Sequence, residues 1–265
     1  MPTTRTAFVL TALLIAAPAL AADPGPLFQF NGKDLTGFYT YLHDHKYEDP
    51  DGVFKVVDGE IRVSGAELGG FITKEEYENY HLIAEWRFTG ETHAPREKNA
   101  RDSGILVHCT GPDDAWGGHW MQSMEANIIE GGAGDFIVVS TKAKGGKDLR
   151  LSAHVREGAD KQWYFTPDGS GELREFDSGR INWYDRDPAW KDVAGFVGKN
   201  DVQNPVGEWN TMEMICDGDS ITVKVNGKVV NLGLKSTVTK GKITFQSEYA
   251  GIAFRRIEIL PLPAK

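Results

Sequence analysis

The sequence predicts an all-β protein, a jelly-roll β-sandwich, on three observations. About a dozen short runs alternate apolar with polar side chains, the period of a strand that turns one face to a core. Turn dipeptides such as Asp58-Gly59 and Asn226-Gly227 separate those runs, and helical spacing of apolar residues is almost absent. The composition agrees, with 30 Gly, 13 Phe, 8 Tyr and 7 Trp in 265 residues.

Sandwiches of this length commonly form one unit, and neither a repeat nor a linker interrupts the pattern. The expected organisation is a signal peptide over 1–21 and a single jelly-roll domain over 22–265, with a long irregular insertion at about 142–204. The opening MPTTRTAFVLTALLIAAPALA has Arg5, an apolar core from Ala7 to Ala17 and an Ala19-Leu20-Ala21 end, the layout of a secretory signal. Its apolar run is short for a bilayer and no basic cluster follows it, so a periplasmic or secreted protein without a membrane partner is expected. A net charge of −9 argues against nucleic acid, because phosphate binding needs basic patches.

Taken in order, Leu27–Phe30 leads into the turn residues Asn31-Gly32 and Thr36-Gly37, and His43-Asp44-His45 sits in a polar loop. Val53–Val57 and Glu60–Val63 make a hairpin about Asp58-Gly59, followed by a strand at Phe71–Thr73. From Tyr80 to Phe88 the alternation is clearest: Tyr80, Leu82, Ala84, Trp86 and Phe88 share one side, and His81, Ile83, Glu85 and Arg87 the other. Residues 91–101 read as a loop. The section from Lys142 to Asn204 is charged, with scattered Trp163, Trp183 and Trp190, and is expected to be ordered and to wall the site. Five strands close the chain: Trp209–Cys216, Ser220–Val225, Lys228–Asn231, Gly241–Gln246 and Ile252–Leu260. Cys109 and Cys216 fall near strand ends, where one disulfide and two buried thiols are equally open.

Chemistry concentrates in Asp102–Val139, where polar residues stand at strand positions. Gly104, Leu106 and His108 share a face opposite Ile105 and Val107. Beyond the loop GPDDAWGGHW, the strand Met121–Glu130 turns Glu125 and Asn127 one way and Met124, Ala126 and Ile128 to the core. Glu130 reaches the face of Glu125 only through a β-bulge near Ile128-Ile129 or the turn at Gly131-Gly132. The spacing Glu125-x-Asn127-x-x-Glu130 resembles the Glu-x-Asp-x-x-Glu strand of laminarinase-type glucanases, which implies a retaining glycoside hydrolase using Glu125 and Glu130. His119 and Trp120 suit contact with a sugar ring. His108, His119, Glu125 and Glu130 together suit a divalent cation such as manganese, calcium or zinc.

A second resemblance spans the whole of 22–265. It rests on LFQFNGKDLTGF, DGEIRVSG, TKEEYENYHLIAEWRF, DSGILVHC, SMEANIIEGGAGDF, GEWNTMEMICDGDSITVKVNGKVV and GKITFQSEYAGIAFRRIEILPL. These segments resemble, in order, the 3-keto-disaccharide hydrolase domain family. The resemblance implies a concanavalin A-like jelly roll and cleavage of 3-keto-glycosides or 3-keto-disaccharides by C2 deprotonation, elimination and hydration. That route needs a base at C2, a cation or metal for the C3 oxygen and an acid for the leaving group. His108 suits the base or a metal ligand, Glu125 the base or acid, and Arg87 or Arg255 the oxyanion partner. Where many members carry a Gln-Asp-His-Gly run, this chain has Gln246-Ser247-Glu248-Tyr249, and where many carry Arg it has His108. Gln246 and Glu248 are thereby expected at the substrate with Asn127. A non-catalytic carbohydrate-binding module is the remaining alternative.

Overall fold

The computed structural model describes residues 25–140 and 148–263; the expected signal segment lies outside the described residues. Eighteen strands and no helix are formed there. The first nine are β1 (Phe28–Gln29), β2 (Phe38–Leu42), β3 (Phe54–Val57), β4 (Glu60–Val63), β5 (Gly69–Thr73), β6 (Tyr80–Thr92), β7 (Asp102–Thr110), β8 (Gln122–Ile129) and β9 (Phe136–Val139). The rest are β10 (Leu151–Glu157), β11 (Trp163–Phe165), β12 (Glu172–Phe176), β13 (Gly179–Ile181), β14 (Asn210–Asp217), β15 (Ser220–Val225), β16 (Lys228–Gly233), β17 (Lys242–Ser247) and β18 (Ala250–Pro261).

Two antiparallel sheets form the jelly-roll sandwich. One runs β16-β15-β14-β6-β18-β4-β3 with β1 added on β18, and the other runs β13-β9-β8-β7-β17-β5-β2. Alternation explains why they face each other. On β6, Tyr80, Leu82, Ala84, Trp86 and Phe88 are buried while His81, Glu85 and Arg87 are half-exposed. Opposite them, Phe71 of β5 stacks on Phe245 of β17 at 4.7 Å, and Phe254 of β18 meets both edge-on. Each large apolar side chain buried there contributes roughly 1.5–3 kcal/mol over exposure. Cys216 belongs to this core, whereas Cys109 sits with Leu106, Trp120 and Met121 on the far face of the second sheet; both thiols are free.

The irregular section contributes a third, small sheet, β11-β10-β12, and β13, which pairs with β9 and extends the second sheet at its edge. The face of that second sheet turned away from the core is the one that matters for function. Its central register is continuous from Asp102 opposite Ile129 to Val107 opposite Met124, then shifts before Thr110. His108 stands in this bulge with φ of 54°. The shift turns its side chain inward, 6.0 Å from the ring of the core residue Tyr80, instead of onto the face shared by Gly104 and Leu106.

Candidate active site

A cavity of about 330 Å³ opens on the outer face of the second sheet. Its floor is polar, with Glu125 and Asn127 from β8, Asp102 from β7, Arg180 from β13 and Glu248 just past β17. Ile137 and Val139 of β9 give it an apolar side, and Trp116 and Trp120 a wall. The two indoles stack at 5.4 Å and 15°. The Trp120 Nε1–H donates to Gly69 O at 2.8 Å, which fixes the inner ring, while Trp116 is 42% exposed and free to meet a ligand. A polar floor facing aromatic rings is what a sugar ring requires, hydroxyls on one side and C–H on the other.

Asn127 joins the charged groups. Its Nδ2 donates to Glu125 Oε1 at 3.0 Å and to Asp102 Oδ1 at 3.3 Å, and its Oδ1 accepts from Arg180 Nη1 at 3.4 Å. An Asp there would put a fourth carboxyl among three. Arg180 Nη1 also donates to Asp135 Oδ2 at 2.7 Å, so the guanidinium is held from below by a fully buried carboxylate. Arg96 reaches Asp102 Oδ2 at 3.5 Å and Asp192 Oδ1 at 3.2 Å.

Burial pushes the Glu125 carboxyl up to about 7; Asn127 and Arg180 oppose the rise and Asp102 adds to it. Burial likewise pushes Asp102 up to about 6 against Arg180 and Arg96. Glu248 is held well above the ordinary carboxyl range by burial first, then by the neighbouring Asp102 and Glu125. Three carboxyls about one guanidinium cannot all ionise near neutral pH, so the group retains protons and titrates as a unit.

Gly104 lies at the centre of this floor. A Cβ there would run into Gln246 Oε1 and Glu125 Oε1, so the two side chains meet over a position with no side chain of its own. Gln246 is fully buried, and neither end of its amide has a hydrogen-bond partner among the described residues.

Five of the expected site residues are elsewhere. His108 points into the sandwich interior, and burial lowers its pKa to about 4, so it is a neutral core histidine. Glu130 does not line the cavity: no bulge interrupts the register at Ile128-Ile129, and its carboxylate accepts from Arg101 Nη1 at 2.8 Å, Arg101 N at 2.9 Å and Gly195 N at 2.9 Å. Arg87 and Arg255 belong to the other sheet. Arg87 pairs with Glu60 at 3.1 Å, Arg255 with Glu85 at 2.5 Å, and both stack on Trp209. His119 stands behind Trp120, ring to ring at 4.3 Å, and meets His43 across 3.3 Å between Nδ1 atoms. The divalent-cation set His108, His119, Glu125 and Glu130 is therefore dispersed, and no group of three or more His, Cys, Asp or Glu among the described residues is placed to hold a metal.

The model of the 3-keto-alpha-glucoside-1,2-lyase-like domain family matches residues 25–260. The chain belongs to that family. This membership gives the lyase-like domain a carbohydrate-active, glycoside-acting role. No curated protein matches the chain. Among solved structures, two proposed glycosyl hydrolases from Parabacteroides distasonis are similar. One is 20% identical, covering 85% of this chain and 99% of its own with a TM-score of 0.46. The other is 17% identical, covering 88% and 92% with a TM-score of 0.49. A β-glucanase from Bacillus licheniformis is 14% identical over 91% of this chain and 100% of its own, with a TM-score of 0.45.

Asp102, Trp116 and Arg180 line the cavity and were missed by sequence reasoning. Asp102 opens the Asp102–Val139 stretch and has the parity of Gly104, which was signal enough to find it. Arg180 comes from the irregular section, where no alternation marks a face. One substitution tests the crowding at the floor. Gly104→Ala has no backbone obstacle, but its methyl displaces the Glu125 carboxyl. We expect kcat/KM to fall roughly 100-fold, as a misplacement near 1 Å does, with overpacking costing about 1–3 kcal/mol. Wild-type kcat/KM in the folded variant would show that Glu125 is not held there.

Proposed function

We propose that this domain cleaves 3-keto-glycosides by removing the C2 proton, eliminating the C1 substituent and adding water, a net hydrolysis. One observation carries the reading. A buried carboxyl pushed up to about 7, Glu125, stands between a fixed cation, Arg180, and a carboxyl that burial holds well above its ordinary range, Glu248, against a tryptophan wall.

A ketone at C3 makes the C2 proton acidic, so a carboxylate of modest basicity suffices to remove it. Glu125 has the right strength near neutral pH, where enough of it is ionised and it still binds a proton readily. The pair of electrons left on C2 delocalises onto the C3 oxygen and then forms the C1–C2 double bond as the C1–O bond breaks. Arg180 and Glu248 serve the two oxygens on either side of C2. Water then adds at C1, and Glu125, once its proton has exchanged with solvent, reprotonates C2. The retaining pair Glu125 and Glu130 is not assembled, because Glu130 is held by Arg101 away from the cavity. Export is part of the proposal, supported by the 1–21 segment, and the N-terminus of protein recovered from the periplasm or medium tests it.

The deciding experiment is proton exchange. In deuterated water, a 3-keto-glucoside incubated with the enzyme should gain deuterium at C2, followed by NMR, at a rate that rises with pH as Glu125 ionises through about 7. Cleavage without exchange would point to direct displacement and sink the proposal. Binding without turnover would point to a carbohydrate-binding module.

A further inference from the structure

Arg180 stands between two cavities. Beyond it from Glu125 lies a second one of about 360 Å³, walled by β11, by the chain that follows β13 and by the segment reaching Trp190. Gln162, Tyr164, Asn182 and Asp187 line it with hydrogen-bonding groups, and Trp190 supplies an aromatic ring. A bridge between Tyr164 and Asn182 ties β11 to β13, so this cavity continues the face that carries the first. Its base is rigid: Arg186 donates to Asp135 and to Asn182 Oδ1 and stacks on Trp190 at 4.4 Å.

We infer that the second cavity is the leaving-group subsite, that it accepts a hydroxyl-bearing ring such as a second sugar, and that the keto edge of the reacting ring turns the opposite way, toward Glu248. The inference rests on the reaction proposed above. Its geometric basis is the order of side chains across the sheet: Arg180 on β13, Glu125 on β8, and Glu248 past β17 on the other side of β7. The reacting ring has the order C1, C2, C3. With C2 at Glu125, the C1 substituent lies on one flank and the C3 oxygen on the other, and the Arg180 flank leads into the second cavity. Glu248, whose carboxyl burial holds well above its ordinary range, then donates to the C3 oxygen as charge develops, and the Arg180 guanidinium faces the departing oxygen. The C1–O bond breaks as the C1–C2 double bond forms, Glu125 keeps the C2 proton, and the departing oxygen takes its proton from water. Polar walls select a polar ring, because an aryl group would leave their donors and acceptors desolvated and unpaired.

Gln162 is exposed, so its replacement spares the core. The measurement is kcat/KM for a 3-keto-disaccharide relative to the 3-keto derivative of methyl glucoside, whose leaving group is too small to occupy the second cavity. Gln162→Ala should lower that ratio about tenfold, the equivalent of one lost hydrogen bond. Gln162→Trp, which fills the space, should lower it further. A ratio unchanged in both variants, or equal losses on both substrates, overturns the subsite. Wild-type enzyme that fails to exchange the C2 proton overturns the reaction instead, so the two failures are distinguishable.

Discussion

Glu125→Gln should lower kcat/KM on a 3-keto-glycoside by about 10²–10⁴-fold, the usual contribution of a positioned general base, and abolish C2 exchange with it. The same variant should be more stable than the wild type in alkali. The Glu125 carboxyl has a folded-state pKa of about 7 against an ordinary 4.5, so the folded chain binds its proton more tightly than the unfolded chain. The stability contributed by that proton is complete below about pH 4.5 and is lost as pH rises through 7. At pH 8 the wild type therefore holds a buried, ionised carboxylate that the amide variant lacks. The difference is about 3 kcal/mol at full ionisation, or roughly 6–12 °C in Tm for a domain of this size. Gln can still accept the Asn127 Nδ2–H that Glu125 Oε1 accepts at 3.0 Å, so that hydrogen bond is kept. Thermal melts of both proteins at pH 4.5 and pH 8 check it. Equal melting temperatures at pH 8 would mean that Glu125 is not raised, and the base assignment would lose its physical ground.

How far the site was legible followed from how regular the backbone is beneath each residue. Glu125 and Asn127 could be placed because β7 and β8 keep one register from Asp102 to Val107, so parity alone fixes their direction. His108 lies two residues past Leu106, and the same parity puts it beside them. The bulge beginning after Val107 removes that inference, and Val107-His108-Cys109 contains no glycine to announce a positive φ. Arg87 and Arg255 illustrate a different limit. Alternation correctly turned Arg87 away from the core, but a sandwich has two outer faces, and no pattern within a strand says which one holds the ligand. Glu130 raised the question of a bulge. The register answered it, and the Arg101 side chain with two backbone amides explains why the carboxylate is buried without serving the cavity. Arg180 required the fold itself, since only the pairing of β13 with β9 brings residue 180 level with the floor.

Asp135 is where stability and site meet, and Asp135→Asn should have the largest effect on folding. Its carboxylate is fully buried and accepts from Arg180 Nη1 at 2.7 Å, from Arg186 Nη1, and from Trp183 N at 2.9 Å. Burial already pulls the Arg186 guanidinium below its ordinary range, with Asp135 acting to restore it. The amide keeps an oxygen for one donor but removes the charge that two guanidiniums share, leaving two cations close together with no anion between them. Breaking a buried pair from one side costs about 3–5 kcal/mol, so Tm should fall by roughly 6–20 °C. Arg150→Ala is the control: its partners Asp148 and Glu175 are exposed, and water and salt screen such pairs so that their loss is little felt. The two losses should differ severalfold, and near-equal melting temperatures would show that the Asp135 group is not the anchor. Activity should report on the same change. Arg180 loses its hold from below while keeping only the 3.4 Å contact to Asn127, so kcat/KM for C2 exchange should fall even at temperatures where the variant is folded. That coupling follows from one side chain, Arg180, being fixed by a buried carboxylate on its inner side and facing the cavity on its outer side.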